Sequence, residues 1–121
     1  MKITAKYFSE SEFNRASPSC SLQNMKQHTM DMMDAVREIA GIPLVVNSAY
    51  RSVAHEKKMG RTGTSSHTTG RAIDIRCNTD ANRWKIIDAA IKVGFKRIGV
   101  AKTFIHLDND TEKSPRVIWM Y

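Results

Sequence analysis

Between Ser21 and Ala40 the apolar residues Leu22, Met25, Met32, Met33, Val36, Ile39 and Ala40 are spaced mostly three and four apart. That period marks one face of an α-helix, and Gly41 followed by Pro43 ends it. The Met-rich face reads as ordinary core, since Met fills irregular gaps between packed elements. Leu44 to Tyr50 is rich in β-formers and predicts a buried strand. A polar stretch containing Gly60, Gly63 and Gly70 follows, which predicts a long loop with a short helix at Val53–Met59. Long ordered loops in compact domains often carry function.

Alternation then takes over. Ala72–Cys77 reads as a strand with Ile73 and Ile75 on one face and Ala72, Asp74 and Arg76 on the other. Thr79 is a fair N-cap for a second amphipathic helix, whose stripe is Trp84, Ile87 and Ile91 and whose stop is Gly94. Arg97–Val100 and Phe104–Asp108 predict two short strands joined by a tight turn. In the second, Phe104, His106 and Asp108 share one face, and Ile105 and Leu107 the other. Ser114–Tyr121 predicts a last strand, and residues 1–20 read as a lead-in with a turn at Ser17–Ser19. This order of elements belongs to an α+β fold: a small, mainly antiparallel sheet with flanking helices.

The 121 residues, 41% hydrophobic and 26% charged, describe one domain over residues 1–121, long enough to bury a core without staples. No apolar run approaches the length of a membrane span, and the N-terminus lacks the apolar segment of a secretory signal, so synthesis in a cytoplasm is expected. Cys20 and Cys77, with no CxxC, read as two buried thiols, with a bridge between them as the lesser alternative. The net charge of +7 draws the protein to polyanions, of which an anionic cell wall is one. The lysines and arginines are scattered, without an Arg-rich block or aromatic–basic interleaving. A solvated basic surface is therefore expected rather than a nucleic-acid site. A monomer is the default expectation.

The candidate chemistry lies at the element edges. His67 is in the loop entering a strand, Asp74 is within that strand, and His106 is on another. Two histidines and a carboxylate suit zinc, which takes N and O ligands tetrahedrally. A zinc with an open fourth position makes a water acidic enough to act as a nucleophile at neutral pH. Asp74 and His106 face each other if their strands are adjacent. The competing readings are a solvated loop histidine and a strand aspartate paired with Arg71 or Arg76. Spacing alone leaves both open.

Four segments in order resemble the zinc D-Ala-D-Ala peptidase family: SAYRS (Ser48–Ser52), SSHTTGRAIDI (Ser65–Ile75), FIHLD (Phe104–Asp108) and PRVIWMY (Pro115–Tyr121). YFSESEFNRASPS (Tyr7–Ser19) is similar to the lead-in of the family's small single-domain branch, found in phages, prophages and bacteria. The resemblance covers nearly the whole chain. It implies the fold of the lysostaphin-type peptidases and the hedgehog N-domain, with zinc held by His67, Asp74 and His106. It implies hydrolysis of a peptidoglycan stem peptide next to a D-amino acid, by a D-Ala-D-Ala carboxypeptidase or an endolysin-type endopeptidase. The route to the wall would be phage-type release or virion delivery. Arg51 would contact a substrate carboxylate or carbonyl, which suits its planar bidentate donors, with a surface salt bridge as the alternative. Ser66 orients substrate or shapes the loop, and Gly70 is read as backbone geometry.

The chain departs from the family pattern at the general base. Several members carry a carboxylate three residues before the last ligand histidine, where this chain has Thr103. Related peptidases use a histidine two residues before that ligand, where this chain has Phe104. Asp108, two residues past His106 and on the same strand face, is the best local candidate for proton transfer. Its alternative role is to support a ligand histidine by accepting a hydrogen bond. Glu56 and His55 read as solvated loop residues. The missing carboxylate keeps open a second class, a zinc-containing wall-binding domain that does not cut.

Overall fold

The computed structural model describes residues 1–121. It has four α-helices, α1 (Glu10–Asn14), α2 (Gln27–Ala40), α3 (Val53–Lys58) and α4 (Asp80–Val93). The strands are β1 (Val46–Ser48), β2 (Ala72–Arg76), β3 (Arg97–Val100), β4 (Phe104–Asp108) and β5 (Val117–Met120). They form one sheet in the order β1-β2-β4-β3-β5. Neighbours are antiparallel except β5, which runs parallel to β3. This is the α+β, mainly antiparallel architecture that the element order predicts. No helix is long and apolar enough to cross a membrane.

The strand faces divide as alternation predicts. Ile73 and Ile75 of β2, Ile98 of β3, and Ile105 and Leu107 of β4 are buried in one cluster with Met30, Met33 and Val36 of α2 and Ile86 of α4. Each such side chain contributes about 1.5–3 kcal/mol through burial. The opposite face carries the polar row. Asp74 pairs with His106, His106 with Gly99, and Gly99 with Trp119, so one line crosses β2, β4, β3 and β5. The next line runs Ala72, Asp108, Arg97, Val117.

Four expectations need correction. The helix expected from Ser21 is broken: a 3-10 turn covers Leu22–Asn24, Met25 and Lys26 are extended, and α2 starts at Gln27. The break is tertiary, because the Lys26 amide donates to the Gly70 carbonyl of a distant loop at 3.0 Å. The strand expected over Leu44–Tyr50 shrinks to Val46–Ser48, where the register shifts within the pairing. The stripe expected on α4 is wrong. Trp84 is 74% and Ile91 55% exposed, while Ile86, Ala89 and Ala90 are buried. Two small alanines let α4 lie close to its neighbours, Ile87 packs partly against the core, and Trp84 and Ile91 turn outward.

Finally, residues 1–20 are more than a lead-in. Phe8 and Phe13 are core residues, and α1 presents Phe13. The segment before α1, which bends at Lys6 and Tyr7, has no sheet partner, so its amides need other acceptors. Asp34 of α2 supplies two, accepting from Lys6 N at 2.8 Å and Tyr7 N at 3.0 Å. Cys20 and Cys77 are separate thiols, donating to the carbonyls of Phe13 and Thr79.

Candidate metal centre and active site

His67 sits in a 3-10 turn, Ser66–Thr69, between the long loop and β2. Gly70 ends that turn with φ 74°, in the left-handed region that favours glycine. A Cβ there would lie 2.3 Å from the Asn24 carbonyl oxygen, so Gly70 also permits the close approach that docks this turn on the segment before α2. The reading of Gly70 as backbone geometry therefore holds for two reasons. Asp74 and His106 are brought together by the β2–β4 register.

His67, Asp74 and His106 are all buried, and each offers one ligand atom within 4.8 Å of the other two. The tautomers are set by the outer ring nitrogens. His67 Nδ1–H donates to the Ala49 carbonyl, which leaves Nε2 facing Asp74 Oδ1 at 3.4 Å. His106 Nε2–H donates to Asp108 Oδ2 at 2.6 Å, which leaves Nδ1 facing the same Asp74 oxygen at 2.9 Å. Two inward histidine nitrogens thus converge on one carboxylate oxygen. Adjacent ligand atoms of a tetrahedral zinc stand about 3.3 Å apart, so this donor set fits the ion in chemistry and spacing.

Charge at the cluster follows the same geometry. Burial pushes the Asp74 carboxyl up, but the hydrogen bonds from His106 and His67 outweigh it and hold the group well below the usual carboxylate range. Burial pushes His106 down, but its bonds to Asp108 and Asp74 outweigh that and raise it. A cation at this point replaces the protons that would otherwise satisfy these nitrogens.

Asp108 is fully buried, and both of its oxygens are engaged. Oδ2 accepts from His106, and Oδ1 accepts from Arg97 Nε at 2.8 Å and from the Asp110 amide at 3.2 Å. Arg97 lies opposite on β3, donates through Nη1 to the Ser114 carbonyl, and stacks 5.0 Å from the Trp119 ring centroid. Thr103 is exposed, and Phe104 is half-buried, so neither expected base position carries a titratable group.

Arg51 follows β1 and lines the same cleft. Its Nε donates to Ser48 at 3.1 Å, Nη1 to Glu56 at 3.1 Å, and Nη2 to Asp74 Oδ2 at 3.3 Å. Three of its five N–H donors are committed, which leaves two for a ligand. Glu56 is therefore no solvated loop residue: it is fully buried, and Oε2 also accepts from Ser65. Burial pushes its carboxyl up, yet the Ser65 and Arg51 hydrogen bonds bring it below its ordinary value. The available signal was Ser52, which caps α3 through the His55 amide and so sets the turn that carries Glu56 inward.

Ser66 is buried, and its hydroxyl donates to Asp110 Oδ2 at 2.8 Å. Asp110 in turn accepts from the Glu112 amide, so this pair ties the His67 turn to the loop after β4. Sequence patterning pointed to neither Asp110 nor Arg97, because their roles depend on partners 44 and 11 residues away. Above the cluster lies a cleft of about 450 Å³, whose lining includes Arg51, Arg61, His67, Asp74, His106 and Trp119.

The sequence pattern of the Peptidase M15 family matches residues 6–108. The chain belongs to the peptidase M15 family. The M15 family is zinc-dependent in general and acts on peptides, and the His67–Asp74–His106 cluster of this member can bind a metal. No curated protein sequence matches the chain. The M15 match ends at Asp108, so β5 and the cleft wall it builds lie beyond it.

Proposed function

We propose that the protein is a zinc peptidase of the bacterial cell wall, hydrolysing peptidoglycan stem peptides next to a D-amino acid, with His67, Asp74 and His106 as the metal ligands. The observation that carries this reading is the convergence of His67 Nε2 and His106 Nδ1 on Asp74 Oδ1 beneath an open cleft. Zinc held there would supply Lewis-acid activation of a water and of the scissile carbonyl. The chain's own groups supply the rest. Arg51, with two uncommitted N–H donors, holds a substrate carboxylate. Its bond to Asp74 Oδ2 keeps Oδ1 turned to the metal position. Asp108 holds the proton on His106 Nε2, so that Nδ1 presents its lone pair. We assign Asp108 this positioning role rather than proton transfer, because both of its oxygens are occupied. Ser66, tied to Asp110, shapes the His67 turn.

A second reading, a wall-binding domain that holds zinc without cutting, draws on one observation. The carboxylates lining the cleft, Asp74 and Asp108, are both engaged, so no free carboxylate faces it. One experiment separates the two. Bound zinc is quantified, and the protein is incubated with peptidoglycan and a synthetic stem peptide whose fragments are identified by mass. About one zinc per chain with a defined fragment, both lost in His106→Ala, supports the peptidase. Zinc and wall binding without a fragment supports the binder. Failure to take up zinc removes both.

A further inference from the structure

Gly99 occupies the middle of β3, and its φ is not in the positive range that calls for glycine. Its missing side chain has a different cause. A Cβ there would lie 2.7 Å from Cε2 and Nε1 of Trp119 and 2.8 Å from Cε2 of Tyr121. The two rings fill the space that any side chain at position 99 would need. Trp119 thereby leans from β5 over β3 until its ring lies 5.3 Å from that of His106. Tyr121 continues the wall, 5.0 Å from Phe104. These three rings are the apolar part of the cleft lining, and the remainder is polar or charged.

The cleft is asymmetric along a defined axis. Arg51 lies at the β1 end, bonded to Asp74 of β2. The ligand cluster sits over β2 and β4. The aromatic wall stands at the β5 end. On that side Arg97 spends two of its five N–H donors on Asp108 and the Ser114 carbonyl and lies against the face of Trp119, and Lys113 stands 3.9 Å from Asp110 Oδ2. With Arg51 read as the carboxylate holder, the leaving end of the peptide lies at the β1 end, and an apolar surface is offered only at the other. From β4 to β5 is two strand spacings, roughly 10 Å, the length of about three extended residues.

We propose that Trp119, Tyr121 and Phe104 form the subsite for the residues on the acyl side of the scissile bond. The peptide then lies across the strands, with its leaving residue and carboxylate toward Arg51 and its acyl portion along β5. This rests on the reading of Arg51 as the carboxylate holder in a zinc peptidase. It makes β5 the element that sets specificity.

The test uses the zinc-loaded full chain carrying Trp84→Phe, a change on the exposed side of α4 that leaves Trp119 as the sole indole. The probes are the dipeptide D-Ala-D-Ala and the pentapeptide L-Ala-γ-D-Glu-L-Lys-D-Ala-D-Ala. The pentapeptide is expected to change Trp119 emission saturably, and the dipeptide to change it much less. Tyr121→Ala is expected to raise the pentapeptide KM or dissociation constant roughly two- to tenfold, the range of one aromatic contact, with the dipeptide value and zinc content unchanged. An emission change without any fragment keeps the aromatic wall as a peptide-binding surface but removes the peptidase reading, and the acyl-side assignment with it. Turnover with Trp119 emission unmoved overturns the subsite alone. A Tyr121→Ala penalty confined to substrates extended on the leaving side reverses the polarity and overturns the proposal.

Discussion

Asp108→Asn separates positioning from proton transfer. Asp108 is fully buried and accepts from His106 Nε2 at 2.6 Å, Arg97 Nε at 2.8 Å and the Asp110 amide at 3.2 Å. Asparagine keeps the shape but has one carbonyl oxygen and an amide that donates. That oxygen can serve His106 or Arg97, and the amide then meets a donor on the other side. One charge-assisted hydrogen bond is lost, about 1.5–3 kcal/mol of stability. The hold on the His106 tautomer weakens with it, and loss of such a support lowers metal affinity by about 10–100-fold. The assay is a zinc titration in a metal buffer, with urea unfolding and turnover on a stem peptide at saturating zinc. The expected result is weaker zinc binding, a lower urea midpoint, and a kcat within about tenfold of wild type once zinc saturates, since positioning acts through metal occupancy. A general base behaves differently, because its removal costs about 10²–10⁴-fold in rate whatever the zinc concentration. Unchanged zinc affinity with a collapse of that size would refute the positioning role.

Three further outcomes are expected. Glu56 titrates below its ordinary value of 4.5, so its stabilising contribution is present above that pH and is lost as pH falls through the lower folded value. Glu56→Gln should therefore lower the urea midpoint at pH 7 by the equivalent of about 1–3 kcal/mol, with the deficit shrinking in acid below pH about 4; an equal deficit at pH 3 and pH 7 contradicts the Arg51–Ser65 clamp. Gly99→Ala places a methyl against Trp119 and Tyr121, and should cost about 1–3 kcal/mol by overpacking and shift Trp emission; an unperturbed spectrum and melting temperature would mean that the rings do not occupy that space. On α4, Ile86→Ala should cost about 2–5 kcal/mol, while Trp84→Ser should stay within about 0.5 kcal/mol; the reverse order in thermal melts would restore the exposed stripe as core.

Periodicity sufficed for the sheet-face assignments. In β2 and β4 a period of two is strict, so Asp74, His106 and Asp108 had to lie on the face opposite Ile73, Ile75, Ile105 and Leu107. The α+β class, the α2 stop at Gly41 and the α4 N-cap at Thr79 were legible for similar reasons, since caps and stops act through the nearest few residues. The three candidate ligands were legible as residue types, and the motifs around them carried the family. Helix rotation was not legible on α4, because alanine and isoleucine are both apolar and only the approach of neighbouring elements chooses between them. The break at Met25 and Lys26 depended on Gly70, and the burial of Glu56 depended on Arg51 and Ser65. The role of Asp108 turned on Arg97 across the β3–β4 pair, and the glycine at 99 made sense only with two rings from a later strand laid over it. Each of these is a contact between segments apart in the chain. Their free energy belongs to the partner as much as to the residue, so local pattern carries no record of it.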